Sequence, residues 1–396
     1  MAKAKNNDFN KKRVYKICEI NRSTAERRGT VRVLMINSVC GIRSTGRICT
    51  DLAENMMSRG DTVKIAYGRE SVPEKYKEIS VCIGSAAGVY LGALQSRLFD
   101  NEGFNCKRAT KRFLKWADEY DPELLWIHNL HGYYINVELL FEWIKRRPNM
   151  KVKWTLHDCW AFTGHCAYFS HVNCDRWKTK CEKCLQTKKY PSSIVDNCRK
   201  NFLRKKEAFT GVRNMTLVSP SYWLADLVKQ SFLQEYPIEV VYNTINTEVF
   251  QPSPSDFKMR YGLEGKKVVL GVASVWEERK GLRDFVHLRA LLDNSYVIVL
   301  VGVSEKQAAN LPDGFLCIPR TDSQRTLAEI YTAANVFVNP SKEETFGLTT
   351  LEAISCGTFA IVYKNTACEE VVRHYDNGMA LDASPYALAD AIKSMI

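Results

Sequence analysis

Two glutamates with seven residues between them are the first candidates for chemistry. In VFVNPSKEETFGLTTLEAISCGTFAIV, Glu344 follows an apolar run ending at Asn-Pro-Ser, and Glu352 lies within a helical pattern that opens at Gly347. This spacing predicts Glu344 in a strand-to-helix loop and Glu352 inside the helix. The helix start at Phe346, Gly347, Leu348 and Thr349 offers backbone N–H groups without intrahelical partners and the positive end of a dipole, both suited to a diphosphate. A carboxylate beside it accepts hydrogen bonds from sugar or ribose hydroxyls. Lys280, in ASVWEERKGLRDF, adds an ammonium for the same anion, with Ser274 and Arg279 close by.

A second group lies earlier in the chain. His157-Asp158 closes the apolar run KVKWTL, and His128 and His131 in HNLHG close the run before it. A neutral imidazole at such an edge can hydrogen-bond a hydroxyl or orient a reacting group. Gly41, Ser44, Thr45 and Gly46 in GIRSTGRI are read as a loop between a strand and a helix, where glycines let the backbone approach a ligand. The spacing is neither a dinucleotide fingerprint nor a P-loop, which argues against NAD binding and ATP hydrolysis.

Among 14 cysteines, Cys166, Cys174, Cys181 and Cys184 follow a C-x7-C-x6-C-x2-C spacing in a segment with no apolar helix or strand. Four thiolates so spaced suit a closed, structural zinc with no open catalytic position, His165 or His171 replacing one thiolate if needed. Reduced thiols packed singly are the plain alternative.

The elements that must position these residues follow from the apolar pattern. The chain has 396 residues, 45% hydrophobic and 25% charged, the profile of a globular protein. No window approaches the ~18 apolar residues of a membrane span, and no apolar segment follows the basic start MAKAKNNDFNKKRVYK, so a cytoplasmic chain is expected. Residues 1–30 read as a basic extension, with VYKICEI as a possible short strand. From Val31 onward, short apolar runs alternate with helical patterns, which predicts a parallel, doubly wound sheet. The polar connector QPSPSD ends this set, and a second alternating set follows. The organisation is therefore a domain over 31–243, with a Cys-rich insertion near 159–190, and a second over 244–396. Two such domains place a ligand in the cleft between them. The net charge of +12 suits nucleic acid, an anionic membrane surface or phosphate-bearing substrates. Two helical patterns carry basic residues: Lys107, Arg108, Lys111, Arg112 and Lys115 beside Phe104 and Phe113, and Arg199, Lys200, Arg204, Lys205 and Lys206 beside Phe202 and Leu203. Either face could lie on an anionic bilayer.

The letters around Glu344 and Glu352, together with INSVCGIRSTGRI, HNLHGYY, TLHDCWAFTGHCAYF, PSYWLAD and VYNTINTEVF, resemble glycosyltransferase family 4 of the bacterial surface-polysaccharide type over most of residues 31–396. That resemblance implies a GT-B fold of two Rossmann-like α/β domains facing each other across a cleft. It also implies a retaining glycosyltransferase, without a catalytic cofactor, that uses a nucleotide-diphosphate sugar. Glu344 would contact the donor sugar, Glu352 the ribose, Lys280 the diphosphate, and His157 the reacting face. The family's arginine falls on Ser274, a departure that Arg279, the Ser274 hydroxyl or backbone amides would have to cover. The acceptor would be a glycan or lipid-linked sugar, with the enzyme at the inner face of a membrane. The last helical pattern, ALADAIKSMI, is shorter than the terminal helix such relatives send back to their first domain. Two rival readings are a sugar-nucleotide epimerase and a zinc-containing nucleic-acid-binding protein. The glutamates and the dispersed basic residues speak against nucleic acid.

Overall fold

The computed structural model describes residues 29–396, so the basic extension and the strand considered at VYKICEI lie outside the described residues, Gly29 and Thr30 apart. The chain divides into two units, one ending at Tyr242 and the other beginning at Asn243.

The first unit runs β1 (Arg32–Asn37), α1 (Arg43–Ser58), β2 (Thr62–Tyr67), β3 (Ser80–Cys82), α2 (Ala86–Phe99), α3 (Lys107–Tyr120), β4 (Leu124–Ile127), α4 (Val137–Lys145), β5 (Lys151–Thr155), α5 (Cys198–Phe209), β6 (Met215–Ser219), α6 (Tyr222–Val228) and β7 (Ile238–Val240). Its seven strands lie in the order β3-β2-β1-β4-β5-β6-β7, every pair parallel. The central strands are apolar because helices cover both of their faces: Val33 to Ile36 of β1 are fully buried. Phe141, Trp154 and Phe209 pack with ring centroids 4.6–5.3 Å apart at the heart of this core.

The Cys-rich insertion forms three short 3-10 turns, Trp160–Phe162, Ser170–Val172 and Arg176–Lys178. Phe162, Phe169 and Trp177 order it by mutual ring packing, with Phe169 stacked on Trp177 at 4.7 Å. α2 has no counterpart among the sequence-based expectations. It buries only Gly92 and Ser96, so its apolar residues follow no core-facing stripe.

The second unit runs α7 (Phe257–Arg260), β8 (Lys267–Val272), α8 (Leu282–Leu291), β9 (Tyr296–Val301), α9 (Glu305–Ala308), β10 (Phe315–Ile318), α10 (Gln324–Ala333), β11 (Val336–Asn339), α11 (Leu348–Ser355), β12 (Ala360–Tyr363), α12 (Ala367–Tyr375), β13 (Gly378–Leu381) and α13 (Pro385–Met395). Its parallel strands follow the order β10-β9-β8-β11-β12-β13. In each sheet the order reverses between two neighbouring strands, β1/β4 in the first and β8/β11 in the second. Open α/β sheets bind ligands beyond the carboxyl ends of such a pair.

Candidate functional site

In the second unit, the chain leaves β8 through an exposed Ser274 and reaches a 3-10 turn over Glu278–Lys280. Gly281 closes this turn with φ of +75°, and a Cβ there would stand 2.5 Å from the Pro340 carbonyl oxygen. The turn is thus seated against the chain leaving β11. The Lys342 N–H donates to the Arg279 carbonyl (2.8 Å), and Arg279 Nη1 donates to the Glu343 carbonyl (3.3 Å). These contacts bring Lys280 Nζ onto Glu344 Oε1 in a direct ion pair whose side chains are 19% and 12% exposed. Burial opposes the charge on Glu344. The Lys280 and Arg279 charges and the hydrogen bonds from Lys280 and Ser341 prevail, and its pKa lies below the ordinary carboxylate value. Glu344 is therefore an ionised acceptor held against two cations.

Three residues further on, Gly347 precedes α11 with φ of +90°, and a Cβ on it would meet Cys368 Sγ at 2.4 Å. Gly347 brings no side-chain cap, so the first-turn N–H groups of α11 have no capping side-chain acceptor. Phe346 is buried and Leu348 half-buried beneath this turn. Glu352, one turn along α11, accepts a hydrogen bond from the buried Tyr331 hydroxyl (2.9 Å). The structure therefore joins Arg279, Lys280, Glu344 and the α11 N-terminus, while Glu352 stands on the helix that leaves them. Tyr331, which fixes Glu352, went unnoticed in the sequence because it lies in a helical pattern where a core tyrosine looks the same.

In the first unit, the Asn37 side chain donates to the Val39 carbonyl (2.9 Å) and accepts from the Asn129 N–H (3.2 Å), tying together the loops after β1 and β4. Gly41 lies in the first of these loops with φ of +71°, and a Cβ there would meet the Tyr76 ring at 2.7 Å. Ser44, Thr45 and Gly46 correct the expectation of a loop: they form the first turn of α1, because Gly46 packs against Val39 and lets the helix start early. Ile42 at the cap position brings no side-chain oxygen, so this turn also presents uncapped N–H groups.

His157 follows β5, and its Nε2 lies 3.0 Å from His128 Nδ1 with the rings stacked at 5.3 Å. Burial lowers both pKa values, that of His157 to about 4, so both rings are neutral at pH 7. His131 Nε2 lies 2.7 Å from Asp158 Oδ2, and its Nδ1 lies 2.9 Å from the Tyr190 hydroxyl. Asp158 also accepts from the Trp160 N–H (2.9 Å). Burial works against its charge, but the His131 charge and these hydrogen bonds keep its pKa below the usual aspartate value. Tyr190, at the far end of the insertion, gave no sequence signal because only tertiary packing returns it to this edge.

Of the four cysteines expected to share zinc, Cys184 is within hydrogen-bonding reach of Cys166, and also of Cys198, which the spacing did not single out. Cys181 Sγ accepts from the Gly164 N–H (3.1 Å), and Cys174 packs at the edge of the core. Soft thiolates suit zinc, yet among the described residues no three His, Cys, Asp or Glu side chains are spaced to share one ion. The basic face expected at residues 199–206 is also corrected. Lys205 is 1% exposed, donates to the Trp160 carbonyl (2.8 Å) and sits over that indole ring, while Arg204 grips Glu138 through two nitrogens. Phe104, Phe113 and Phe202 are core residues too. Phe113 and Phe202 point into the core from α3 and α5, and Phe104 from the loop before α3.

Residues 255–396 match the family model "Glycosyl transferases group 1". Among curated proteins, the chain is 32% identical over 111 residues to the putative colanic acid biosynthesis glycosyl transferase WcaC of Escherichia coli, covering 26% of this chain and 27% of that protein. It is 33% identical over 92 residues to a GDP-mannose-dependent phosphatidylinositol dimannoside mannosyltransferase of Mycobacterium tuberculosis, covering 23% of each. The chain thus spans about a quarter of the length of these relatives. Among solved structures it resembles sucrose-phosphate synthase from Thermosynechococcus elongatus (TM-score 0.65, 17% identity, 92% of this chain and 89% of that one). It also resembles Anabaena HepE in complex with UDP and glucose (TM-score 0.60, 14% identity, 92% and 89%). The fold is GT-B: two Rossmann-like α/β units, each on a parallel sheet.

Proposed function

We propose that the chain is a retaining glycosyltransferase that takes a sugar from a nucleotide-diphosphate donor held in the second unit and passes it to a glycan or lipid-linked acceptor. The observation that carries this reading is the Lys280–Glu344 pair beside the uncapped N-terminus of α11. Arg279, Lys280 and the α11 N–H groups would hold the diphosphate and stabilise the charge it gains as the glycosidic bond breaks. Electrostatic stabilisation of a leaving group needs such donors fixed in place beforehand, and the contacts of Gly281 with Pro340 supply that rigidity. Glu344, ionised and held by two cations, would accept hydrogen bonds from the donor sugar, and Glu352 those from the ribose. Ser274, exposed just after β8, would add a hydroxyl where the family pattern has arginine. His157, neutral and stacked on His128, would hydrogen-bond a hydroxyl of a reacting sugar without adding charge. The relatives in colanic acid and mannoside synthesis support a surface glycan or glycolipid as product.

The test is a thermal-shift panel of UDP, GDP, ADP and CMP with their common sugars. One nucleotide-diphosphate family should raise the melting temperature of the chain and leave the Lys280→Ala protein unmoved. No stabilisation by any of them, with or without a glycan acceptor, would remove the donor site. The cysteine cluster belongs to the same proposal as a structural zinc, its thiolates drawn together by the ion. About one equivalent of zinc should survive gel filtration of the intact chain, and metal analysis that finds none rejects it.

A further inference from the structure

The chain leaves β2 through Gly68 and Arg69, whose N–H groups both donate to the Ser38 carbonyl (3.2 and 2.9 Å). A Cβ on Gly68 would stand 2.0 Å from the Tyr134 ring, so glycine lets this loop lie directly on the one after β4. Arg69 then crosses Gly132, where a Cβ would meet Arg69 Cδ at 3.2 Å and Nη1 at 3.4 Å. Its guanidinium carbon lies 6.0 Å from the centre of the Tyr133 ring. Tyr133 has φ of +66°, a left-handed conformation that bulky residues rarely adopt. Glu102 holds it there, its Oε1 accepting from the Gly132 and Tyr133 N–H groups (2.6 and 2.9 Å). Tyr190 meets the Tyr133 ring edge-on, with centroids 6.3 Å apart, and is 42% exposed.

This arrangement contains an unanswered charge. Arg69 is half-buried, and apart from the Tyr133 ring its guanidinium meets no ion-pair or hydrogen-bond partner among the described residues. The neighbouring Glu70 is taken by Arg43 (2.8 Å), and Glu102 is bound to backbone. A partly desolvated charge calls for an opposite one against it. The planar fork of a guanidinium fits a carboxylate or a phosphate through two N–H donors at once. Beside it, two tyrosines offer flat apolar faces with polar rims, suited to the C–H faces of a sugar ring. Tyr190 adds a directed oxygen. A neutral His131 that donates from Nε2 to Asp158 accepts the Tyr190 O–H at Nδ1, which leaves the phenol oxygen to accept from a ligand hydroxyl. A bare anion has no use for the tyrosines, and a neutral sugar leaves Arg69 unanswered.

We infer that Arg69, Tyr133 and Tyr190 form a binding site for an acidic sugar, whose carboxylate or phosphate pairs with Arg69 while its ring lies against the tyrosines. The site belongs to the first unit alone. Calling that sugar the acceptor of transfer rests on the transferase reading; the site itself does not.

Ligand-observed NMR titration of the intact chain, without nucleotide, tests it. The panel is glucuronate, galacturonate and the 6-phosphates of glucose and mannose, against the neutral parent sugars and inorganic phosphate. At least one acidic sugar should bind about tenfold or more tighter than its neutral parent and than inorganic phosphate. A uronate as the winner assigns a carboxylate ligand, and a sugar phosphate assigns a phosphate. Arg69→Gln should abolish the preference, and Arg69→Lys should restore part of it, since lysine returns the charge without the fork. Tyr190→Phe should weaken acidic and neutral sugars alike, because it removes a hydroxyl contact and no charge. Melting curves of the three variants confirm that each is folded. The absence of any acidic preference in the parent chain overturns the inference, as does an Arg69→Gln protein that keeps it. Inorganic phosphate binding as tightly as every acidic sugar would mark a bare ion site and overturn it too. Nucleotide response is read in parallel: its absence beside intact acidic-sugar binding removes the donor site and upholds this one.

Discussion

Lys280→Ala and Glu344→Gln are each expected to lower transfer by about a hundredfold or more, the scale seen when one fixed electrostatic donor is removed from a reacting centre. The two should fail differently. Lys280→Ala takes a charge from the proposed diphosphate and should weaken nucleotide binding itself. Glu344→Gln leaves Lys280 and Arg279 uncompensated, so nucleotide diphosphate should bind at least as well while sugar transfer collapses. Both side chains are largely buried, so either single change also breaks a shielded pair and costs stability. The double variant Lys280→Met/Glu344→Gln separates these effects. It removes both charges together and should recover much of the melting temperature lost by the singles. Transfer should stay down. If either single variant keeps turnover within tenfold of the parent, the roles assigned to this pair are wrong.

Gly281→Ala should do similar harm without altering any group that touches a ligand. Its φ of +75° costs an alanine about 1–2 kcal/mol, and the new methyl would sit 2.5 Å from a backbone oxygen that cannot swing aside. With overpacking added, destabilisation of about 2–4 kcal/mol is expected, with loss of nucleotide binding as the turn carrying Lys280 lifts from Pro340. Gly262 is the control, because its φ is +63° and nothing lies within 4 Å of a Cβ there. Gly262→Ala should show the backbone cost alone, about 1–2 kcal/mol, and normal binding. Equal melting curves for the two variants would mean that the Pro340 contact does not hold Lys280 in place.

The α/β class, the two alternating sets and the placement of Glu344 in a loop and Glu352 in a helix were all legible in local patterns. Apolar runs, helical periodicity and turn residues act over a few neighbours, so they survive in the sequence whatever packs around them. The switch-point geometry follows once the strands are ordered, and the recurring run-and-helix alternation already implies parallel strands. Residues within one loop, such as Gly347 before α11, could likewise be placed without a fold.

Other features were settled only by packing between distant segments. Lys280 meets Glu344 across 64 residues because Gly281 lets one turn rest on Pro340. His157 finds His128, Tyr190 returns to His131, and Cys184 lies beside Cys198 for the same reason: strand order, and not spacing, makes them neighbours. Lys205 and the exposed stripe of α2 are the clearest cases. Each helix carries a pattern that fits either an inner or an outer face, and its own residues do not record what lies opposite. The Trp160 carbonyl and ring draw Lys205 inward, whereas Tyr90 and Leu94 stay exposed. Burial is a property of the partner surface as much as of the residue, so the tertiary structure alone could assign it.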